Sequence, residues 1–110
     1  MPSENAELLD VIGVLLTPDF FASDGELQTC TGYYRTEYEA LDSRIRSAEQ
    51  RIELRGDDQL MMVAAINNIA GYPHGLDELC RDRLRLGPDR ASWYGTLFAR
   101  LIDHLPGYKD

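Results

Sequence analysis

Four side chains in this sequence are of the kinds that ligate metals or work as nucleophile and base: Cys30, His74, Cys80 and His104. Structural zinc takes four convergent ligands, as a rule from paired spacings such as C-x-x-C or H-x-x-x-H, and neither pairing occurs. A Cys80–His74 or Cys80–His104 dyad would be the nucleophilic alternative. Cys80, however, shares a helical stripe with Leu76, Leu79 and Leu84, and apolar surroundings keep a thiol protonated and inert. Both cysteines therefore read as buried core thiols, and two are too few for a disulfide scaffold.

Carboxylates are the next candidates. Helical metallohydrolases point Glu and Asp at i, i+3 or i, i+4 spacing into the bundle. Glu37, Glu49, Glu53, Asp77, Glu78 and Asp82 are available, but most alternate with arginines opposite the apolar stripes and read as solvated. Asp57-Asp58 reads as a helix cap. The glycines are scattered over helix ends and turns, so no phosphate-cradling loop exists. These grounds assign no catalytic, cofactor-binding or metal-binding residue.

Charge says more. The chain has 110 residues, 44% of them hydrophobic and 27% charged, with a formal net charge of -8. Clustered Lys and Arg carry phosphate binding, so this balance argues against direct nucleic-acid contact. The excess is local. Glu4, Glu7, Asp10, Asp19, Asp24 and Glu26 occupy the first 26 residues without a single base, whereas acids and bases cancel over residues 27–55 and 87–110. Such a segment suits docking on a basic partner surface. Tyr33 lies off the main apolar stripe, and Tyr is enriched in interface hot spots, so it joins the six acids as a candidate partner-binding residue.

The elements that must position these groups are helical throughout, since no stretch alternates in the manner of a half-buried strand. Ser3 would cap a first helix from Glu4 to Leu16 with an apolar face of Leu8, Leu9, Ile12, Leu15 and Leu16. Tyr34, Tyr38, Leu41, Ile45, Ala48 and Ile52 step by three or four residues with heptad-like spacing. They predict an amphipathic helix over about 33–55, roughly 35 Å long, whose stripe is also a candidate seam for a homodimer. A start at Gly25 would lengthen it to roughly 46 Å. Leu60 to Ala70 is apolar nearly all round and predicts a buried central helix over 58–70. A C-terminal helical pair follows over 76–105, its last member starting at Gly87-Pro88-Asp89.

The expected fold is a single all-α domain, 1–110, of about five helices around the helix at 60–70. The expected function is non-enzymatic: stoichiometric binding to a protein partner, in the manner of bacterial or phage inhibitors, immunity proteins, antitoxins or anti-CRISPRs. That analogy is one of class alone. A self-associating helical adaptor or regulatory subunit is the alternative, and a small enzyme using carboxylates or Cys80 the third. The longest apolar run, Leu8 to Leu16, is interrupted by Asp10 and falls short of the roughly 20 residues a bilayer span needs. Acids precede it where a secretory signal has bases, which points to a cytoplasmic protein.

Overall fold

The computed structural model describes residues 4–17, 20–21, 23–50, 52–54, 56–71 and 75–103. All regular structure among them is helical. The chain runs through α1 (Glu4–Leu16), α2 (Asp24–Thr31), α3 (Arg35–Ser47), α4 (Asp57–Ala70), α5 and α6 (Pro88–Ile102). The fifth element, α5, is one turn at Leu76–Glu78 that continues as a π-helix over Leu79–Arg83. Helix α1 packs on α3 and α4, α2 on α3 and α4, and α6 on α4 and α5. The core cluster runs from Leu8 to Leu101 and draws on every helix.

The helix expected over about 33–55 is shorter at both ends. At its start, Thr31 and Gly32 end α2. The Thr31 hydroxyl donates to Leu27 O at 2.8 Å and accepts the Tyr33 N–H at 3.1 Å. Gly32 follows at φ 85°, a left-handed helix end that glycine takes without a Cβ clash. At its far end Ala48 is extended, at φ -73° and ψ 127°. No breaker residue causes this. The Asn5 side chain of α1 donates to Gln50 O at 2.9 Å and accepts the Ile52 N–H at 2.9 Å, while Gln59 of α4 donates to Leu54 O at 3.0 Å. These clamps hold the chain open and turn Ile52 and Leu54 toward the core. Tertiary contacts thus override a helical local preference. The thirteen residues of α3 fit within a globule whose extents are 34 × 33 × 29 Å.

Helix α4 is not buried all round. Met61, Met62, Ala65, Ile66 and Ile69 form its buried stripe, and Leu60 on the opposite side is 48% exposed. An apolar composition leaves the facing direction open, and only one side of this helix meets α1, α2 and α6. Its N-cap is Gly56, so Asp57 and Asp58 belong to the first turn, where their charge suits the helix dipole. Asp58 additionally takes a two-point ion pair from Arg44 of α3, at 2.7 and 3.0 Å. Helix α1 buries Leu8, Val11, Ile12, Val14 and Leu15, a stripe rotated from the expected one, and leaves Leu9 half-buried.

After the π-helix, Arg85 takes φ 57°, the one non-glycine residue with positive φ among those described. It closes the segment as a left-handed helix end, with Leu84 N–H on Leu79 O and Leu86 N–H on Cys80 O. Helix α6 buries Ala91, Tyr94, Leu97, Phe98 and Leu101 on one side, as its periodicity predicts. Among the described residues no helix is long and apolar enough to cross a membrane.

Candidate interaction surfaces

The N-terminal acids do not form one surface. Glu7 is 7% exposed and meets Arg100 of α6 at 2.8 Å. Asp10, one turn on, faces three groups of α6. Arg90 Nη2 reaches its two oxygens at 3.2 and 3.1 Å, Trp93 Nε1 donates at 3.1 Å, and the Tyr94 hydroxyl lies 3.5 Å away. Arg90 also donates to the Tyr94 hydroxyl at 3.0 Å and lies over its ring, and the Arg100 guanidinium lies over the Trp93 ring. The α1–α6 seam therefore neutralises two of the six acids within the chain. Across this seam residue 7 meets residue 100, and residue 10 meets residues 90–94.

Asp24 and Glu26 are exposed at the start of α2, with Arg35 4.0 Å from Asp24. Arg35 is itself anchored, donating to Leu16 O at 2.9 Å and lying 3.5 Å from Glu39. Asp19 and the side chain of Glu4 lie outside the described residues, as do His74, His104 and the Ser3 cap.

The stripe read as a dimer seam faces inward. Tyr38, Leu41 and Ile45 are fully buried, and the Tyr38 hydroxyl donates to Met61 O of α4 at 2.7 Å. Burial pushes the Tyr38 phenol far above its ordinary value. Ala48 and Ile52 are half-buried beyond the end of α3, and Tyr34 sits at its N-cap. The six residues thus offer no continuous face to a second copy.

Tyr34 is instead 61% exposed, the most exposed of the large hydrophobic side chains described. Its N–H donates to Glu37 Oε2 at 2.7 Å, which holds that carboxylate beside the start of α3. Tyr33 packs edge-on against Tyr38 with ring centroids 6.1 Å apart. Its phenol is pushed up by burial first and then by the carboxylates of Asp57 and Glu37. Both acids are exposed, and among the described residues neither has a cation within ion-pair distance. Tyr33, Tyr34 and Glu37 cluster where α3 begins, and Asp57 of α4 lies near enough to Tyr33 for its charge to raise that phenol.

The cysteines part company. Cys80 is 1% exposed in the π-helix, and burial, with Asp77, pushes its thiol up, which suits an inert core group. Cys30 is exposed on α2, contrary to its expected burial, because Leu27 and Thr31 form the buried side of that short helix. Among the described residues no group of three or more His, Cys, Asp or Glu is arranged to hold a metal ion.

No family model, curated protein or solved structure matches the chain. Its reading therefore rests on its own residues. Sequence reasoning missed Glu37, Asp57 and an exposed Tyr34, because Tyr34 also fits the apolar stripe, Glu37 looks like ordinary helix-surface charge and Asp57 reads as a helix cap. It also missed Arg90 and Arg100 as partners of Asp10 and Glu7, which lie 80 and 93 residues away in the chain.

Proposed function

We propose that this chain acts by stoichiometric, non-enzymatic binding to a protein partner with a basic surface. The observation that carries the reading is the set Tyr33, Tyr34, Glu37 and Asp57, which brings a widely exposed ring together with two carboxylates that have no cation within ion-pair distance among the described residues. Tyr is a hot-spot residue at interfaces, its ring face attracts cations, and open carboxylates raise the rate of encounter with a basic partner. The inhibitor, immunity-protein, antitoxin and anti-CRISPR classes are analogues in size and charge alone. The docking acids are then Glu37 and Asp57, with Asp24 and Glu26 as outlying charge. Glu7 and Asp10 drop out, because arginines of the same chain hold them.

The test is capture of host proteins on the immobilised chain across a salt series. The triple variant Tyr34→Ala, Glu37→Gln, Asp57→Asn should lose a salt-sensitive partner that wild type retains, while Glu7→Gln should keep it. Retention by the triple variant with an unchanged salt response would refute the assignment of this face. The adaptor reading gains no support from Tyr38, Leu41 and Ile45, whose side chains already complete the intrachain core. Light scattering at low micromolar concentration should accordingly report a monomer.

A further inference from the structure

The segment between α3 and α4 is held against its own local preference. Ala, Glu, Gln and Leu are strong helix formers, and they supply Ala48, Glu49, Gln50, Glu53 and Leu54 with no glycine or proline among them. Helix α2 shows what an encoded stop looks like: it ends on Gly32 at φ 85°. Helix α3 has no such stop, and its end residue Ala48 is simply extended, at ψ 127°. What crosses from α1 to hold the segment open is the Asn5 side chain, donating to Gln50 O and accepting the Ile52 N–H, both at 2.9 Å.

Burial adds little to that hold. Glu49, Gln50 and Glu53 are exposed, and Ala48, Ile52 and Leu54 are only half-buried. Segments with few buried apolar contacts open at low cost. Asn5 itself lies in the first turn of α1, before Glu7 and Leu8, where the buried side of that helix begins. The N–H groups of a first turn have no partner within the helix, so this is the turn that unwinds most readily.

We propose that residues 48–54 form a two-state strap whose latch is Asn5. Latched, the strap runs extended. Released from Asn5, its first residues, Ala48, Glu49 and Gln50, add a further turn to α3, and the Ile52 N–H exchanges Asn5 Oδ1 for Ala48 O. Chain length permits this. A helix from Arg44 to Gln50 rises roughly 9 Å, and the eight residues from Gln50 to Asp58 span up to roughly 27 Å. The Arg44–Asp58 pair and the Gln59 contact with Leu54 therefore persist in both states. The latch couples the first turn of α1 to the length of α3. A ligand that unwinds that turn lengthens α3, and one that binds the lengthened α3 loosens α1 by the same factor. The device is independent of the partner reading above.

The test is backbone NMR of the full chain. Asn5→Ala removes both hydrogen bonds and leaves a good helix former in α1. The Cα shifts of Ala48, Glu49 and Gln50 should move from extended toward helical values, with the helical-to-extended ratio rising at least about tenfold. Shifts in α4 and α6 should stay at their wild-type values, because Asn5 is half-buried and lies outside the core. Adding Gln50→Gly to Asn5→Ala should lower the ratio about fivefold, the cost of glycine inside a helix. Unchanged extended shifts in Asn5→Ala overturn the proposal, since the latch would then not be what holds the strap. Random-coil shifts that Gln50→Gly leaves unaltered overturn it as well, since the strap would then loosen without a second ordered state.

Discussion

In the seam between α1 and α6, Glu7 and Asp10 each meet an arginine that lies over an aromatic ring, whereas Glu37 at the start of α3 and Asp57 of α4 lie near Tyr33 with no cation within ion-pair distance among the described residues. The residue types are the same in the two regions, and the physical roles are opposite. In the seam, each carboxylate loses water and gains a guanidinium, so its charge orients α6 on α1 and is hidden from partners. At the open face, the carboxylates keep their water and their field. Counting acids along a sequence cannot separate these cases, because the cations that cancel Glu7 and Asp10 come from the far end of the chain.

Removing the hub of the seam should have the largest effect. Asp10→Ala strands the Trp93 indole N–H and breaks the Arg90 contact, and we expect a loss of about 2 kcal/mol in urea unfolding. Glu7→Gln keeps a neutral hydrogen bond to Arg100, and Arg100 is half-exposed, so solvent screening reduces the loss to about 1 kcal/mol. A seam that tolerates both changes without a shift in midpoint would erase the contrast between the two regions.

Alkaline titration sharpens it further. Tyr38, Tyr94 and Tyr33 all have phenols raised above the ordinary value, with burial as the first cause in each. A folded pKa above the unfolded one means that the native state holds its protons longer. The resulting stability is fully present below about pH 10 and is lost as pH rises through the folded values. The urea midpoint should stay level from neutral pH to about 9.5 and fall beyond 10. Tyr38→Phe should flatten that fall most and Tyr33→Phe least, since Tyr38 is enclosed and Tyr33 only half-buried. The smallest effect belongs to the open face. Glu37→Gln with Asp57→Asn should change stability by no more than about 0.5 kcal/mol, while removing the salt sensitivity of partner capture. A large destabilisation there would mean that these acids serve the fold.

Several elements were legible because their cause is local. The apolar period of α6 and its Gly87-Pro88-Asp89 start set one buried side and one helix beginning. The Asp42–Arg46 pair follows from i, i+4 spacing and forms at 2.7 Å. The end of α3 was not legible, because Ser47 to Leu54 contains no glycine or proline and the clamps that hold it open come from Asn5 of α1 and Gln59 of α4. The exposure of Leu60 was hidden as well, since a helix apolar all round does not say which side meets its neighbours.

What the sequence by itself determined is the helical class, the placing of most helices and the acidic balance, because backbone propensity, apolar period and formal charge are properties of neighbouring residues. Only the tertiary structure decided which carboxylates remain open, which way Tyr34 and Tyr38 face and where α1 is left uncovered. Those outcomes depend on the groups that the fold brings together from distant parts of the chain, and no local rule contains them.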